Sequence, residues 1–308
     1  MEKILITPRS FAKISDEPIR MLEKAGYEVI LNPYGRIMTK EQMFEQVQEV
    51  SGIIIGVDPL DKDVLKVATK LRAIAKYGVG TDNIDLDYAR ERRIPVSVTA
   101  GANTNAVADF AFTLMLCVAR KVIAIDRRCR NRDWSKIVGL DIYGKTLGIL
   151  GLGAIGKGVA KRAKGFDMKV LAYDISWDED YARKNGIIYA TPHEIYEQAD
   201  FISIHLPLTD DTRNMIDSDA FARMKKNAVL VNTARGGIVD EAALVRALKE
   251  GRIMGAGIDV FSCEPPEEKE LYELENLVMG SHCAASTEGA LENMSLMAVQ
   301  NLLRDLKN

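Results

Sequence analysis

Residues 146–174 read TLGILGLGAIGKGVAKRAKGFDMKVLAYD, and the fold is decided here. A short apolar run, Thr146–Leu150, leads directly into Gly151, Gly153 and Gly156 in the spacing GxGxxG. A helical segment follows to Lys164, then a second apolar run, Lys169–Tyr173, that stops at Asp174. Strand, glycine turn, helix, strand and acid in that order make a βαβ unit suited to a dinucleotide. Gly151 permits the tight turn, Gly153 lets backbone approach a pyrophosphate, and Gly156 lets the helix lie close on the strand. Gly153, Ala154 and Ile155 open the helix, whose unpaired amides and positive end meet phosphate charge. Asp174 lies 23 residues past Gly151, where an acid grips ribose hydroxyls and repels a 2′-phosphate. Ile175 and Ser176 offer no arginine to bind such a phosphate, so NAD is expected rather than NADP.

The same alternation extends in both directions. Upstream, apolar runs at 3–7, 28–31, 52–56, 72–76 and 95–99 read as buried strands. Amphipathic segments lie between them, with Asp16 and Thr39 as helix caps and Gly26 as a left-handed stop. Residues 103–121 form a long, mostly apolar helix, and an Arg-rich stretch, 126–134, reads as a surface arm. Downstream, strands are expected at 201–206, 228–233, 255–260 and 277–280, with a last helix over 286–306. Strands alternating with helices give parallel sheets covered on both faces, an α/β fold.

At 308 residues the chain exceeds the size of one hydrophobic core, so two domains are expected. The composition, 47% hydrophobic and 28% charged, is that of an ordinary globular protein. A net charge of −3 argues against a protein that works by neutralising nucleic-acid phosphates. The longest apolar run, 110–119, is half the ~20 residues a membrane span requires, so no membrane partner is expected. Four cysteines form no CxxC pair, which suits reduced thiols and a cytoplasmic location. No metal site is expected.

Ligands of open α/β sheets bind beyond the carboxyl ends of strands. Arg235 (in NTARGG), Glu264 (in DVFSCEPP) and His282 (in MGSHCAAS) all fall there. These three types suit hydride transfer at a carbon bearing a hydroxyl. A histidine exchanges the hydroxyl proton near neutrality. A carboxylate on its far nitrogen fixes the tautomer, and an arginine fork holds a substrate carboxylate. The other histidines read differently: His193, in TPHE, as a surface residue at a helix start, and His205, in FISIHL, as a wall of the cofactor site.

Seven ordered motifs then match one family. They are YGVGTDNIDL (77–86), GANTNAVADF (101–110), YGKTLGILGLGAIGKGVA (143–160), SIHLPLTDDTRNMI (203–216), NTARGGIVDEAAL (232–244), GAGIDVFSCEPP (255–266) and SHCAAST (281–287). The chain resembles the D-isomer-specific 2-hydroxyacid dehydrogenases, most closely their phosphoglycerate-dehydrogenase-like branch. The resemblance implies two Rossmann-like or flavodoxin-like domains, the NAD domain (102–285) inserted into a substrate domain (1–101 and 286–308). It implies that Arg235 binds the substrate carboxylate, His282 is the acid/base and Glu264 its partner. Asp259 would contact the nicotinamide carboxamide, with Thr233, Ala234, His205, Leu206, Cys283 and Ala284 also lining the cofactor. Val79 and Gly80 would offer amides to the substrate. A homodimer through the NAD domain, reached by the Arg-rich arm, is a further implication.

The substrate is less determined. Phosphoglycerate dehydrogenases often carry an arginine in the loop that here reads GVDPLD (56–61), without a cation. Arg9, Lys76 or Lys136 could hold a distal anion instead. 3-Phosphoglycerate, and with it serine biosynthesis, is the first choice; hydroxypyruvate, glyoxylate and phosphonate or phosphite substrates are alternatives. The resemblance ends at the last helix, so feedback through a separate serine-sensing domain is not expected. A reading of another class is an NAD-sensing corepressor that binds proteins. Ser281 stands where the family usually has proline before the histidine, and Cys263 and Cys283 beside the acid and the base read as small fillers.

Overall fold

The computed structural model describes residues 1–307. The chain divides into two compact units: Met1–Asn103 together with the segment from Ser286, and Thr104–Ala285. The second is thus an insertion in the chain of the first.

The first unit begins β1 (Glu2–Ile6), α1 (Glu17–Lys24), β2 (Tyr27–Leu31), α2 (Lys40–Gln46), β3 (Val50–Ile55) and α3 (Lys62–Val67). It continues β4 (Ala73–Lys76), α4 (Leu86–Glu91) and β5 (Val96–Val98). The five strands are parallel in the order β2-β1-β3-β4-β5. Thr39 closes a capping box at the start of α2, while Asp61 and Asp85 cap α3 and α4. Asp16 stands at the cap of α1 but makes no side-chain bond there. Every residue of β3 is buried, as a central parallel strand requires. Leu5, Ile53 and Ile55 pack under Met43, Val47 and Val64 on one face. Ile4, Ile6 and Ile54 meet Ala298, Val299 and Leu302 on the other. These last residues belong to the helix Glu288–Lys307 that closes the chain.

The second unit opens with α5 (Thr104–Arg120), α6 (Val122–Arg130), β6 (Thr146–Leu150), α7 (Ala154–Ala163), β7 (Lys169–Tyr173), α8 (Glu179–Asn185) and β8 (Ile187–Tyr189). It proceeds through α9 (Pro192–Gln198), β9 (Phe201–Ile204), α10 (Ser218–Arg223), β10 (Val229–Asn232), α11 (Glu241–Lys249), β11 (Gly255–Ile258) and β12 (Leu277–Met279). The chain then returns to the first unit as α12 (Glu288–Lys307). The second sheet runs β12-β11-β10-β9-β6-β7-β8, again parallel. Its strand order reverses between β6 and β9, the switch point at which such sheets bind ligands. Helix α5 buries Ala111, Leu114, Met115 and Val118 on this sheet. The approach is close: a Cβ built on Gly257 would lie 2.7 Å from Leu114 Cβ.

Two details differ from the sequence reading. The Arg-rich arm is helical as far as Arg130, because Arg127, Arg128 and Arg130 fall in the last turn of α6, where cations suit the helix dipole. Arg130 also pairs with Asp126 one turn back at 2.7 Å. Strand β8 is an apolar run of only three residues, IIY, too short to stand out beside the longer runs.

Candidate active site

The glycine loop leaves β6 and returns into α7 with Gly151 at φ +100, where a side chain is strained. A Cβ there would stand 2.7 Å from the carbonyl carbon of His205, so the loop lies directly on the end of β9. A Cβ on Gly156 would collide with the Gly151 carbonyl. Gly153, the cap residue of α7, faces open space, and a Cβ there would meet nothing within 4 Å. No acidic residue stands in the first turn of α7. This is an open, positively polarised cradle beside a helix start, the setting a pyrophosphate needs. Asp174 lies at the end of β7, its carboxylate accepting the Leu152 amide at 2.7 Å and the Ser176 amide at 3.0 Å. The acid is thereby fixed to the glycine loop, and Ala154 and Ile155 complete the rim.

Beyond the strand ends lie two polar atoms that want a partner. Ile204 and Asn232 are paired in register, so His205 and Thr233, the next residues, stand side by side. His205 Nδ1 and Thr233 Oγ1 are buried and, among the described residues, make no hydrogen bond. His205 Nε2 bonds Ser203 Oγ at 2.8 Å. Burial pushes the His205 pKa down to about 3, so the ring is neutral. Orphaned polar atoms are rare in folded proteins, and a ligand with hydroxyl or amide groups would satisfy this pair. The residues present therefore fit a dinucleotide. Leu206 is buried and Ala234 half-buried beside them.

The three charged candidates come from neighbouring loops of the same sheet. Arg235 follows β10, Glu264 follows β11 and His282 follows β12. Asn232 braces the first loop, donating from Nδ2 to the Arg235 carbonyl at 2.9 Å and accepting the Ala234 amide at 3.0 Å. Gly236 then touches the next loop so closely that any side chain would collide with the backbone of Phe261. Glu264 Oε1 accepts the Phe261 amide at 3.1 Å. The Glu264 carboxylate also meets His282 Nδ1, through Oε2 at 2.9 Å and Oε1 at 3.2 Å. Burial opposes ionisation of Glu264. The His282 hydrogen bond and charge, the Phe261 amide and the Arg235 charge outweigh it and hold the carboxyl below its usual range. A carboxylate only accepts, so the proton of this bond sits on Nδ1 and leaves Nε2 as the exchanging nitrogen. His282 is 39% exposed at its side chain, open to a substrate.

Asp259 is fully buried, and its two oxygens accept the amides of Cys283 and Ala284. The Cys283 thiol points at the same carboxylate, 3.6 Å away, as a small packed donor. His193 is exposed near the start of α9, and the sheet brings it to none of these groups.

The remaining candidates lie in the first unit. Val79 is exposed and Gly80 half-buried on the turn after β4. Arg9 is exposed after β1. Lys76 is buried, and its ammonium bonds the Gly56 carbonyl and, at 2.8 Å, Asn83 Oδ1. It thus serves as a tie between two loops rather than as an open cation. Asp58, in the cation-free loop 56–61, is also buried and takes bonds from Thr7 Oγ1 and the Met38 amide. Among the described residues no group of three or more His, Cys, Asp or Glu could hold a metal ion, and no helix is long and apolar enough to cross a membrane.

Comparison with known proteins bears directly on this geometry. Residues 112–284 match the family described as D-isomer specific 2-hydroxyacid dehydrogenase, NAD binding domain. A glyoxylate reductase of Korarchaeum cryptofilum is 43% identical, covering 86% of this chain and 82% of the relative. A D-3-phosphoglycerate dehydrogenase of Methanocaldococcus jannaschii is 36% identical over all of this chain but 58% of its own length. A solved D-lactate dehydrogenase from Aquifex aeolicus, complexed with NAD and lactic acid, superposes with a TM-score of 0.87 at 28% identity, covering 99% of this chain and 95% of that one.

Proposed function

We propose that this chain, which belongs to the D-isomer specific 2-hydroxyacid dehydrogenase family, reduces glyoxylate or another short 2-keto acid to the 2-hydroxy acid with NADH. The observation that carries the reading is the His282–Glu264 bond beside Arg235, on the same sheet ends as the glycine loop. When bound, the nicotinamide supplies the hydride that reduces C2. Arg235 grips the substrate carboxylate with its fork and orients C2 for attack. His282 delivers a proton from Nε2 to the C2 oxygen as that oxygen gains charge. Glu264 stabilises the charged imidazole before transfer and keeps Nδ1 protonated after it. Gly153, Ala154 and Ile155 would hold the pyrophosphate and Asp174 the adenosine ribose, and His205 and Thr233 would pair with polar groups of the dinucleotide.

This reading moves the first choice away from 3-phosphoglycerate. A phosphate dianion needs a cation, and the first unit directs Lys76 to Gly56 and Asn83, leaving only the exposed Arg9 of the two named there. It also places the buried Asp58 carboxylate in the loop that would have to carry one. The glyoxylate reductase relative supports the smaller substrate.

The test is NAD(P)H oxidation with glyoxylate, hydroxypyruvate and phosphohydroxypyruvate. Turnover of the first two with NADH, at kcat/KM above that for the phosphorylated acid, is expected. Preference for phosphohydroxypyruvate restores the phosphoglycerate reading, and no turnover of any overturns the enzyme.

A second copy of the chain is the partner we assign to α6. This helix buries none of its residues and exposes Val122, Ile123 and Ile125, and the segment after it exposes Trp134 and Val138. Sedimentation should give a dimer, and Ile123→Glu should weaken it.

A further inference from the structure

We propose that the Asp259 carboxylate is a positioning residue that clamps the turn carrying His282. The inference rests on His282 as the proton donor of the function above. Asp259 Oδ1 accepts the Cys283 amide at 3.0 Å, and Oδ2 accepts the Ala284 amide at 2.8 Å. The carbonyl of the same residue accepts the His282 amide at 2.8 Å. Three consecutive amides, 282 to 284, thus converge on one residue.

His282 needs such a hold. Its φ is +56, in the left-handed region, which strains a residue with a Cβ. Unrestrained backbone would relax toward negative φ and swing the imidazole away from Glu264. The clamp opposes that motion through both its side chain and its main chain. Gly280 completes the device. A Cβ there would collide with Asp259 Oδ1, so only glycine lets the acid reach the turn. Burial raises the Asp259 pKa against the pull of its amide donors and the His282 charge. A buried acid is tolerated when hydrogen bonds surround it, and here those bonds all come from the turn of the base.

The experiment compares Asp259→Asn and Gly280→Ala with the wild type by three measurements. Hydrogen exchange reads the Cys283 and Ala284 amides. Proton NMR of the cofactor-free protein reads the His282 Nδ1–H bonded to Glu264. Kinetics with glyoxylate separate kcat from the NADH Kd, the latter by fluorescence. An asparagine turns one donor toward amide donors, so protection and the Nδ1–H signal should be lost in Asp259→Asn. Misplacing the base by about 1 Å should lower kcat roughly 100-fold, with NADH Kd within about threefold. Gly280→Ala should do the same while keeping the acid, and it decides the matter if Asp259→Asn does not fold. Unchanged exchange, signal and kcat in the variants that fold overturn the clamp. So does a kcat loss matched by an equal loss of NADH affinity, which marks a cofactor contact instead. Exchange and NMR need no substrate, so they judge the clamp even if the keto-acid panel fails.

Discussion

His282 and Glu264, 18 residues apart on loops after neighbouring strands, meet through Nδ1 and Oε2 at 2.9 Å. The bond ties the proposed proton donor to a carboxylate whose pKa is held below its usual range. Glu264→Gln keeps the shape and removes the charge, so it should lower kcat by roughly 10²- to 10⁴-fold. Because the native carboxyl is held below its usual range, acid should abolish its contribution only at a pH below that of an ordinary glutamate. Rates of NADH oxidation from pH 4 to 8 check both statements.

Arg235→Ala should leave the dinucleotide cradle alone and remove a bidentate grip. Two charge-assisted bonds contribute roughly 3–6 kcal/mol, so kcat/KM should fall by about 10²- to 10⁴-fold. Arg235→Lys should recover only a small part, since an ammonium cannot form the fork. NADH titration in both variants should show affinity close to wild type.

Asp174 is the residue we propose to select the coenzyme. Removing a like charge a few ångströms from a 2′-phosphate stabilises NADPH binding by roughly 1–3 kcal/mol. Asp174→Ala should therefore raise the NADPH/NADH ratio of kcat/KM by about ten- to a hundredfold. The NADH value itself should fall, because the Leu152 and Ser176 amides lose their acceptor. Paired kinetics with the two coenzymes measure the ratio.

His205 makes stability depend on pH. Its folded pKa is depressed to about 3, so the unfolded chain binds its proton first as pH falls. The stability tied to the neutral ring is intact above about pH 6.5 and declines between there and pH 3, with a slope of up to about 1.4 kcal/mol per unit. Tm of His205→Gln should decline less steeply over this window than that of the wild type. Parallel curves would show that folding does not hold the ring neutral.

Much of this was legible in the sequence because it is local. Thr146–Leu150 and Lys169–Tyr173 are apolar runs bounded by glycine, lysine and aspartate, and both strands have those bounds. Later strands came out shorter than their apolar runs. The ladder stops at Ile204, Asn232 and Ile258, while the expected strands run on to Leu206, Thr233 and Val260. Those extra residues lie past the ladder, and His205 and Thr233 among them reach the candidate site, which alternation alone does not reveal. The order Arg235, Glu264, His282 was readable from strand ends. The three bonds from residues 282–284 to Asp259 were not, because they depend on a left-handed turn at a histidine, which no pattern of residue types announces. Lys76 shows the opposite failure. Its charge invited a ligand, and only the burial of its ammonium against Gly56 and Asn83 disclosed a structural tie.

The contact between Gly236 and the backbone at Phe261 has a consequence for how such a molecule can diverge. The strand of chain that presents the guanidinium and the one that presents the carboxylate are locked together with no room for a side chain. A heritable change in either cannot be accommodated by the other sliding aside. Altered specificity must therefore be acquired elsewhere along the polypeptide, with this pair of loops handed down as one unit.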